Sequence, residues 1–301
     1  MSDQKRNEEP QKKSKTAYVL IGISVAFFLI MLVLPLIEVI YRSLKDGLAV
    51  YLDAITAEYT LSALKVTILA AVIAVAVNTF FGICASWLLT KFHFRGSKVL
   101  ATLIDIPFSV SPVIAGLAFI MTFGRMGWAA PILDWINNLL GTDISLVFSI
   151  PGVVLATIFV TFPYVSRELI PVMQSQGNEE EEAASLMGAS GFTIFRKITF
   201  PHIRWALVYG MILCAARAVG EFGAVYAVSK TRGETFTLPL EIDALYMAGS
   251  AESITQAFAV SSILVLIALI MLILRQFAEY RAGKEAKERE EQPNVSGNEQ
   301  D

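Results

Sequence analysis

The chain has 301 residues, of which 55% are hydrophobic and only 17% charged, with a formal net charge of −3. A water-soluble domain carries about a quarter charged residues, so a soluble globular protein is excluded. The net charge selects no partner, and two cysteines with two histidines indicate neither a disulfide framework nor a metal site.

In chain order, residues 1–16 are polar and charged and are predicted to be a disordered tail, with too little apolar surface to bury. Six apolar runs then follow, each long enough to cross a bilayer core as a helix: Tyr18–Ile40, Val66–Leu89, Val99–Phe123, Leu146–Val165, Trp205–Val228 and Ala257–Leu274. The first ends in "EVIYRSLKDG" and exceeds the roughly 7–15 residues of a signal-peptide core, so it reads as an uncleaved anchor. Pro107, Pro112, Pro151 and Pro163 fall inside spans, where neighbouring helices can satisfy the freed carbonyls, and the third run is short and broken. Cys84 and Cys214 lie within spans and read as small hydrophobes. Residues 279–301 form a second charged tail, also predicted to be disordered; its "NVS" at 294–296 is a chance match to a glycosylation sequon. The fold class is an all-α integral membrane protein of six transmembrane helices, with its membrane domain over 17–278. No internal repeat is visible, which gives no support to an inverted-repeat secondary transporter.

With the N-terminus inside the cell, 17 of the 24 Lys and Arg fall in inside segments, Lys91, Arg95, Lys98, Arg167, Arg196, Lys197 and Arg204 among them. That bias meets the positive-inside rule and places both termini, and the long segment 166–204, in the cytoplasm.

Within that segment, "EEEEAASLMGAS" at 179–190 reads as a short capped helix. Asn178 is a favoured N-cap with Glu181 at the third position of a capping box. Glu179 to Glu182 oppose the positive end of the helix dipole, Ala183, Ala184, Leu186 and Met187 are good helix formers, and Gly188 can take the left-handed conformation that stops a helix. Ala183, Leu186 and Met187 share one face. Helices that lie on a lipid surface are rich in Lys and Arg, whereas this one is acidic and an anionic leaflet would repel it. Its chemistry suits docking to a protein partner.

Glu182-Ala183-Ala184, then Gly188, Ile198 and Phe200-Pro201 at fixed spacing resemble the EAA motif of ABC importer permeases, with Phe200 where leucine is usual. The resemblance implies a type I importer permease fold. It also implies a coupling helix seated in a cleft of a partner ATPase, with Glu182 as the charged contact, Ala183 and Ala184 as packing residues, Gly188 as the turn, and Ile198 and Pro201 completing the motif. Further stretches, "LIDIPFSVSPVIAGL", "VSRELIPVMQSQG", "PHIRWALVYG", "RAVGEFGAV" and "RGETFTLPLEI", resemble the sulfate/thiosulfate permeases, the CysW-type subunit in particular. Those resemblances imply a second, CysT-type permease subunit, two CysA-type ATPase subunits and an extracytoplasmic sulfate-binding protein as partners. The chain has no G-x-x-x-x-G-K-[ST] phosphate loop and no catalytic cluster, so no ATPase site of its own is expected. ATP and Mg would be bound by the partner ATPase, and this chain needs no cofactor. A molybdate or tungstate permease is the alternative within the class. An ATP-independent anion channel or carrier is the alternative outside it.

Arg217 and Glu221 stand four apart in the fifth span, hence on one helix face. Charge in mid-bilayer faces the interior and pairs. Two roles remain open: a structural ion pair, or a positive site for a dianion at Arg217 tuned by Glu221. Gly220 and Gly223 beside them permit close helix approach. Ser109 and Ser111, between Pro107 and Pro112, lie where the third span must bend, and either contact an oxyanion or satisfy each other. Asp105 would repel sulfate and is expected to be paired near the cytoplasmic end of its span.

Overall fold

A computed structural model describes residues 15–291, with backbone alone for residue 15 and for 285–291; the expectations for 1–14, for 292–301 and for the "NVS" sequon lie outside the described residues. The described chain is helical throughout. Helices α1 (Lys15–Phe28) and α2 (Leu34–Leu44) are joined by one π-helical turn into the first span. There follow α3 (Leu48–Thr56), α4 (Glu58–Lys91), α5 (Ser97–Ser109), α6 (Pro112–Phe123), α7 (Ala130–Leu140), α8 (Ile150–Thr161) and α9 (Pro163–Gln176). The rest of the chain forms α10 (Glu179–Leu186), the single turn α11 (Gly191–Ile194), α12 (Phe200–Val219), α13 (Gly223–Val228), α14 (Leu238–Met247) and α15 (Ala251–Glu291).

Among the described residues, five helical stretches are long and apolar enough to cross a membrane: Thr16–Leu44, Glu58–Lys91, Ile150–Gln176, Gly191–Val219 and Ala251–Lys284. The sixth is the pair α5 and α6, bent by 109°. The third span is therefore a broken element rather than one helix over Val99–Phe123. The fourth span runs on to Gln176, past Val165, so residues 166–176 belong to a helix and not to the loop assigned to 166–204. Helix α15 continues to Glu291, so 279–291 extends the last span where a disordered tail was expected. Of the four span prolines only Pro107 sits in a helix interior. Pro112, Pro151 and Pro163 occupy first turns, where the missing N–H has no intrahelical acceptor to lose.

The centre of the bundle is α4. Its 34 residues reach about 50 Å at about 1.5 Å per residue. A stripe of small residues, among them Ala63, Ala70, Ala74, Gly82 and Ser86, is buried along it. A Cβ added at Gly82 would lie 2.9 Å from the Val165 side chain, so α4 and α9 touch nearly backbone to backbone. Asn78 is fully buried and donates to Thr161 Oγ1 at 2.8 Å and to the Ile158 carbonyl at 3.2 Å, which ties α4 to α8. One apolar cluster joins α4, α8, α13 and α14, and a second joins α9 and α12 around Leu169, Met173 and Ile203. Cys214 is buried in the second cluster, while Cys84 faces outward. Helix α15 closes the far side against α2, α12 and α14.

Candidate functional site at the acidic loop and the broken helices

The acidic loop begins where Gly177, at φ +70°, ends α9 and closes where Gly188, at φ +84°, ends α10. Both values lie in the left-handed region that a Cβ disfavours. The four glutamates fill the first turn of α10, as their attraction to the helix dipole predicts. Their side chains then part company. Glu181 turns inward: its Oε1 accepts from Thr199 Oγ1 at 2.8 Å and lies 3.1 Å from Lys91 Nζ, with side-chain exposures of 14% for Glu181 and 6% for Lys91. Lys91 also donates to the Gly177 carbonyl at 2.5 Å. The last residue of α4 thus holds both the end of α9 and the start of α10. Asn178 makes no side-chain cap, and Glu181 forms no capping box. A buried ammonium is a stronger partner for that carboxylate than a backbone N–H, and it wins the competition.

Glu180 lies 3.8 Å from His202 Nε2, and His202 Nδ1 faces the Ile198 carbonyl at 2.8 Å. Glu182 and Ala183 are exposed and Ala184 is buried against the bundle. Beyond them Leu186 and Met187 project outward with 90% and 81% exposure, and Phe192 stands near them at 74%. After Gly188, Ser190 Oγ accepts from the Thr193 N–H and starts α11. A π-helical turn carrying Ile198 follows, and Pro201 lies in the first turn of α12. The loop is thus an apolar knob edged with carboxylates, fastened to three helices and suited to a cleft on another protein.

The second locus is where two broken spans meet. Helix α5 ends at Ser109, Val110 and Ser111 are extended, and α6 starts at Pro112. The fifth span breaks after Val219, and the short α13 begins at Gly223. A Cβ on Gly223 would lie 3.0 Å from Pro112 Cβ, and one on Gly116 would lie 2.6 Å from the Ala224 carbonyl oxygen. The two breaks are adjacent because glycine stands at both crossings. Gly220 has no such role, since a Cβ there meets only the Ala216 carbonyl of its own helix at 3.7 Å.

Glu221 lies in the break itself and not on a continuous helix with Arg217. It is 1% exposed; Oε1 accepts the Ala224 N–H at 2.7 Å and Oε2 lies 2.6 Å from Arg217 Nη1. One carboxylate therefore caps α13 and neutralises Arg217, whose side chain keeps 29% exposure. Ser109 and Ser111 are exposed at the bend, and neither hydroxyl is engaged by another described residue. Asp105 pairs with Arg167 Nε at 3.0 Å, and the same guanidinium lies 4.5 Å from the centre of the Phe108 ring.

Sequence reasoning missed two arrangements. Lys91 was counted only for its charge; its position as the last residue of a span, opposite an acidic loop, was the available signal. The other is Arg232, which binds both oxygens of Glu241 at 2.9 and 3.1 Å through Nε, with Glu241 1% exposed, and lies 4.7 Å from the centre of the Tyr59 ring. Hydrogen bonding to Glu241 raises the Arg232 guanidinium further above its usual range. Together with Thr67 Oγ1, which accepts the Leu238 N–H at 2.8 Å, this pair pins α14 to α4 at the end of the bundle opposite α10.

Known proteins resemble the chain over nearly its whole length. The family model described as "binding-protein-dependent transport system inner membrane component" matches residues 79–282. The sulfate transport system permease protein CysW of Escherichia coli K12 is 44% identical over 271 residues, 90% of each chain. The protein of the same name from Synechocystis is 41% identical over 273 residues, 90% of this chain and 96% of that one. Among solved structures, a bacterial alginate ABC transporter in complex with an alginate pentasaccharide-bound periplasmic protein superposes with a TM-score of 0.72. It covers 90% of this chain and 95% of the matched one at 18% identity, and shows the fold alone. With a family model over most of its length and relatives matched nearly end to end, the chain belongs to the binding-protein-dependent transport system inner membrane components, the permeases of ABC importers.

Proposed function

We propose that this chain is a transmembrane permease subunit of an ATP-driven importer for sulfate or thiosulfate. It passes the motion of a partner ATPase to the membrane helices and has no ATPase site of its own. The observation that carries the proposal is the acidic loop, whose outward Glu182, Leu186 and Met187 present a docking knob while Glu181 is fastened inward to Lys91 and Thr199. The substrate rests on the CysW relatives. ATP and Mg are bound by the ATPase subunits, of CysA type. A CysT-type permease completes the translocation path, and a sulfate-binding protein delivers the anion from outside. Both termini and the acidic loop lie in the cytoplasm.

Within this reading Glu182 is the charged contact with the ATPase, Ala183 and Ala184 pack the coupling helix, Gly188 turns it, and Ile198 and Pro201 lead it into α12. The anion passes the paired breaks. There the unengaged hydroxyls of Ser109 and Ser111 offer donors, and Arg217, partly exposed beside Glu221, offers transient positive charge. A dianion that met the full charge of an unpaired arginine would bind and stay; the buried Glu221 weakens that attraction enough for release.

The test is uptake of labelled sulfate into reconstituted vesicles holding the assembled complex, with the sulfate-binding protein outside and with or without ATP enclosed on the loop side. ATP-dependent uptake that excess thiosulfate suppresses is expected. Uptake that persists without ATP, or that molybdate suppresses better than thiosulfate, overturns the proposal.

A further inference from the structure

Helices α12 and α15 do not close against each other along their full length. An apolar groove of about 300 Å³ runs between them, walled by aliphatic side chains from Ile212 to Val219 on α12 and from Leu264 to Leu272 on α15. It ends at Arg275. From Leu264 to Arg275 is about 16 Å along a helix. Toward the α10 end the groove gives way to a chamber of about 560 Å³, bounded also by α9 and lined by Glu168, His202, Trp205, Tyr209 and Glu279. Arg275 marks the junction: its guanidinium lies 5.4 Å from the centre of the Tyr209 ring and within electrostatic reach of Glu168. Along one seam the order is therefore aliphatic, cationic, then acidic and aromatic.

We infer that this seam holds a phospholipid with a primary-amine headgroup, of the phosphatidylethanolamine class. An acyl chain fills the groove, where aliphatic walls replace neighbouring lipid without desolvating a polar group. The phosphodiester meets Arg275, whose planar fork suits phosphate oxygens. The ammonium lies beyond it and donates to Glu168 and Glu279. Tyr209 and Trp205 stand at the level where aromatic side chains favour the membrane interface. Two carboxylates beside one arginine disfavour an anionic headgroup such as phosphatidylglycerol, which brings negative charge and no cation. A choline headgroup brings the cation but has no N–H to donate. The complementarity selects one class.

This inference is independent of the transported substrate. The full chain, extracted in mild detergent with whatever subunits accompany it, is given an equimolar mixture of phosphatidylethanolamine, phosphatidylglycerol and phosphatidylcholine, and the retained lipid is identified by mass spectrometry. Retention of the ethanolamine lipid is expected to exceed either other lipid by at least about tenfold, the factor that one charge-assisted hydrogen bond supplies. Glu168→Gln with Glu279→Gln, nearly isosteric changes, should remove that preference and raise phosphatidylglycerol. Arg275→Leu should lower retention of all three, and a photoreactive ethanolamine lipid should label α12 and α15 in the unaltered chain. Equal retention of the three lipids, a preference that survives the double Gln variant, or a seam that takes no label because another subunit fills it would each overturn the assignment.

Discussion

Replacing Lys91 with Met isolates the fastening of the coupling loop. The change keeps the length and the apolar stem of the side chain but leaves the Glu181 carboxylate, 14% exposed, with Thr199 as its one close donor among the described residues. Removing one member of a buried ion pair costs about 3–5 kcal/mol. Partial exposure lowers the lower bound to about 2 kcal/mol. That cost falls on the attachment of α10 to α4, because the carboxylate escapes most easily by swinging out and releasing the loop. Amide exchange over residues 177–199 should therefore quicken by a factor on the order of 30 or more in Lys91→Met, while the α4–α8 core exchanges as before. Adding Glu181→Leu removes the stranded carboxylate and should recover most of the protection. Charge reversal, Lys91→Glu with Glu181→Lys, should recover part. Unchanged exchange in Lys91→Met, or no recovery in the double variant, would refute the clamp.

Other expectations follow from the same geometry. Gly116→Ala places a Cβ 2.6 Å from the Ala224 carbonyl and 2.7 Å from Ala227 Cβ, so it should cost about 1–3 kcal/mol in thermal unfolding of the detergent-purified protein; Gly220→Ala, with its nearest contact at 3.7 Å, should melt like the parent chain. Arg217→Leu strands the buried Glu221 and should cut the amount of assembled protein. Adding Glu221→Gln should restore assembly, because the amide oxygen still accepts the Ala224 N–H without needing a cation; sulfate uptake by that double variant at the parent rate would remove Arg217 from the anion path. Glu182→Lys and Gly188→Val should leave the chain in the membrane but lower ATP-driven uptake, the second through about 1–2 kcal/mol of left-handed strain. In a variant lacking Cys84 and Cys214, single cysteines at 47 and 234, the latter exposed in the loop that follows α13, should react with an impermeant maleimide from outside, and those at 95 and 185 only after lysis. Outside labelling at 185 would invert the orientation.

The number of spans was legible because apolar length is a property of a local window. The bends were legible only in part. Pro107 and Pro112 announce a break in the third span, but the angle follows from α13 packing on α6 through Gly116 and Gly223, a contact between residues more than a hundred positions apart. The break at Gly220–Phe222 carries no proline and was read through as helix, because its cause is the Glu221 side chain capping the next helix. The acidic loop was legible as a helix with an outward apolar face. Its attachment was not, since the preference of Glu181 for Lys91 over a backbone N–H exists only once α4 and α9 bring that ammonium into place. Arg232 and Glu241 escaped for a related reason: nothing local to either residue shows that α14 folds back against Tyr59 and Thr67.

The first span has a consequence for the order in which the chain is made. None of its most apolar stretch is buried within the protein, and apart from α3, which follows it directly, its packing partner is α15, through α2 and the Arg42 guanidinium 5.3 Å from the centre of the Phe258 ring. The Thr255 hydroxyl, bonded to Asp46 at 2.6 Å, fastens the same corner. During synthesis, then, the span formed by α1 and α2 stands in lipid without a distant neighbour among the described residues until those beyond 251 emerge. The core around α4 can condense before that, and the last helix joins the earliest to it. A chain stopped at residue 250 should hold a folded centre and a first helix free to drift, or to be captured by another subunit.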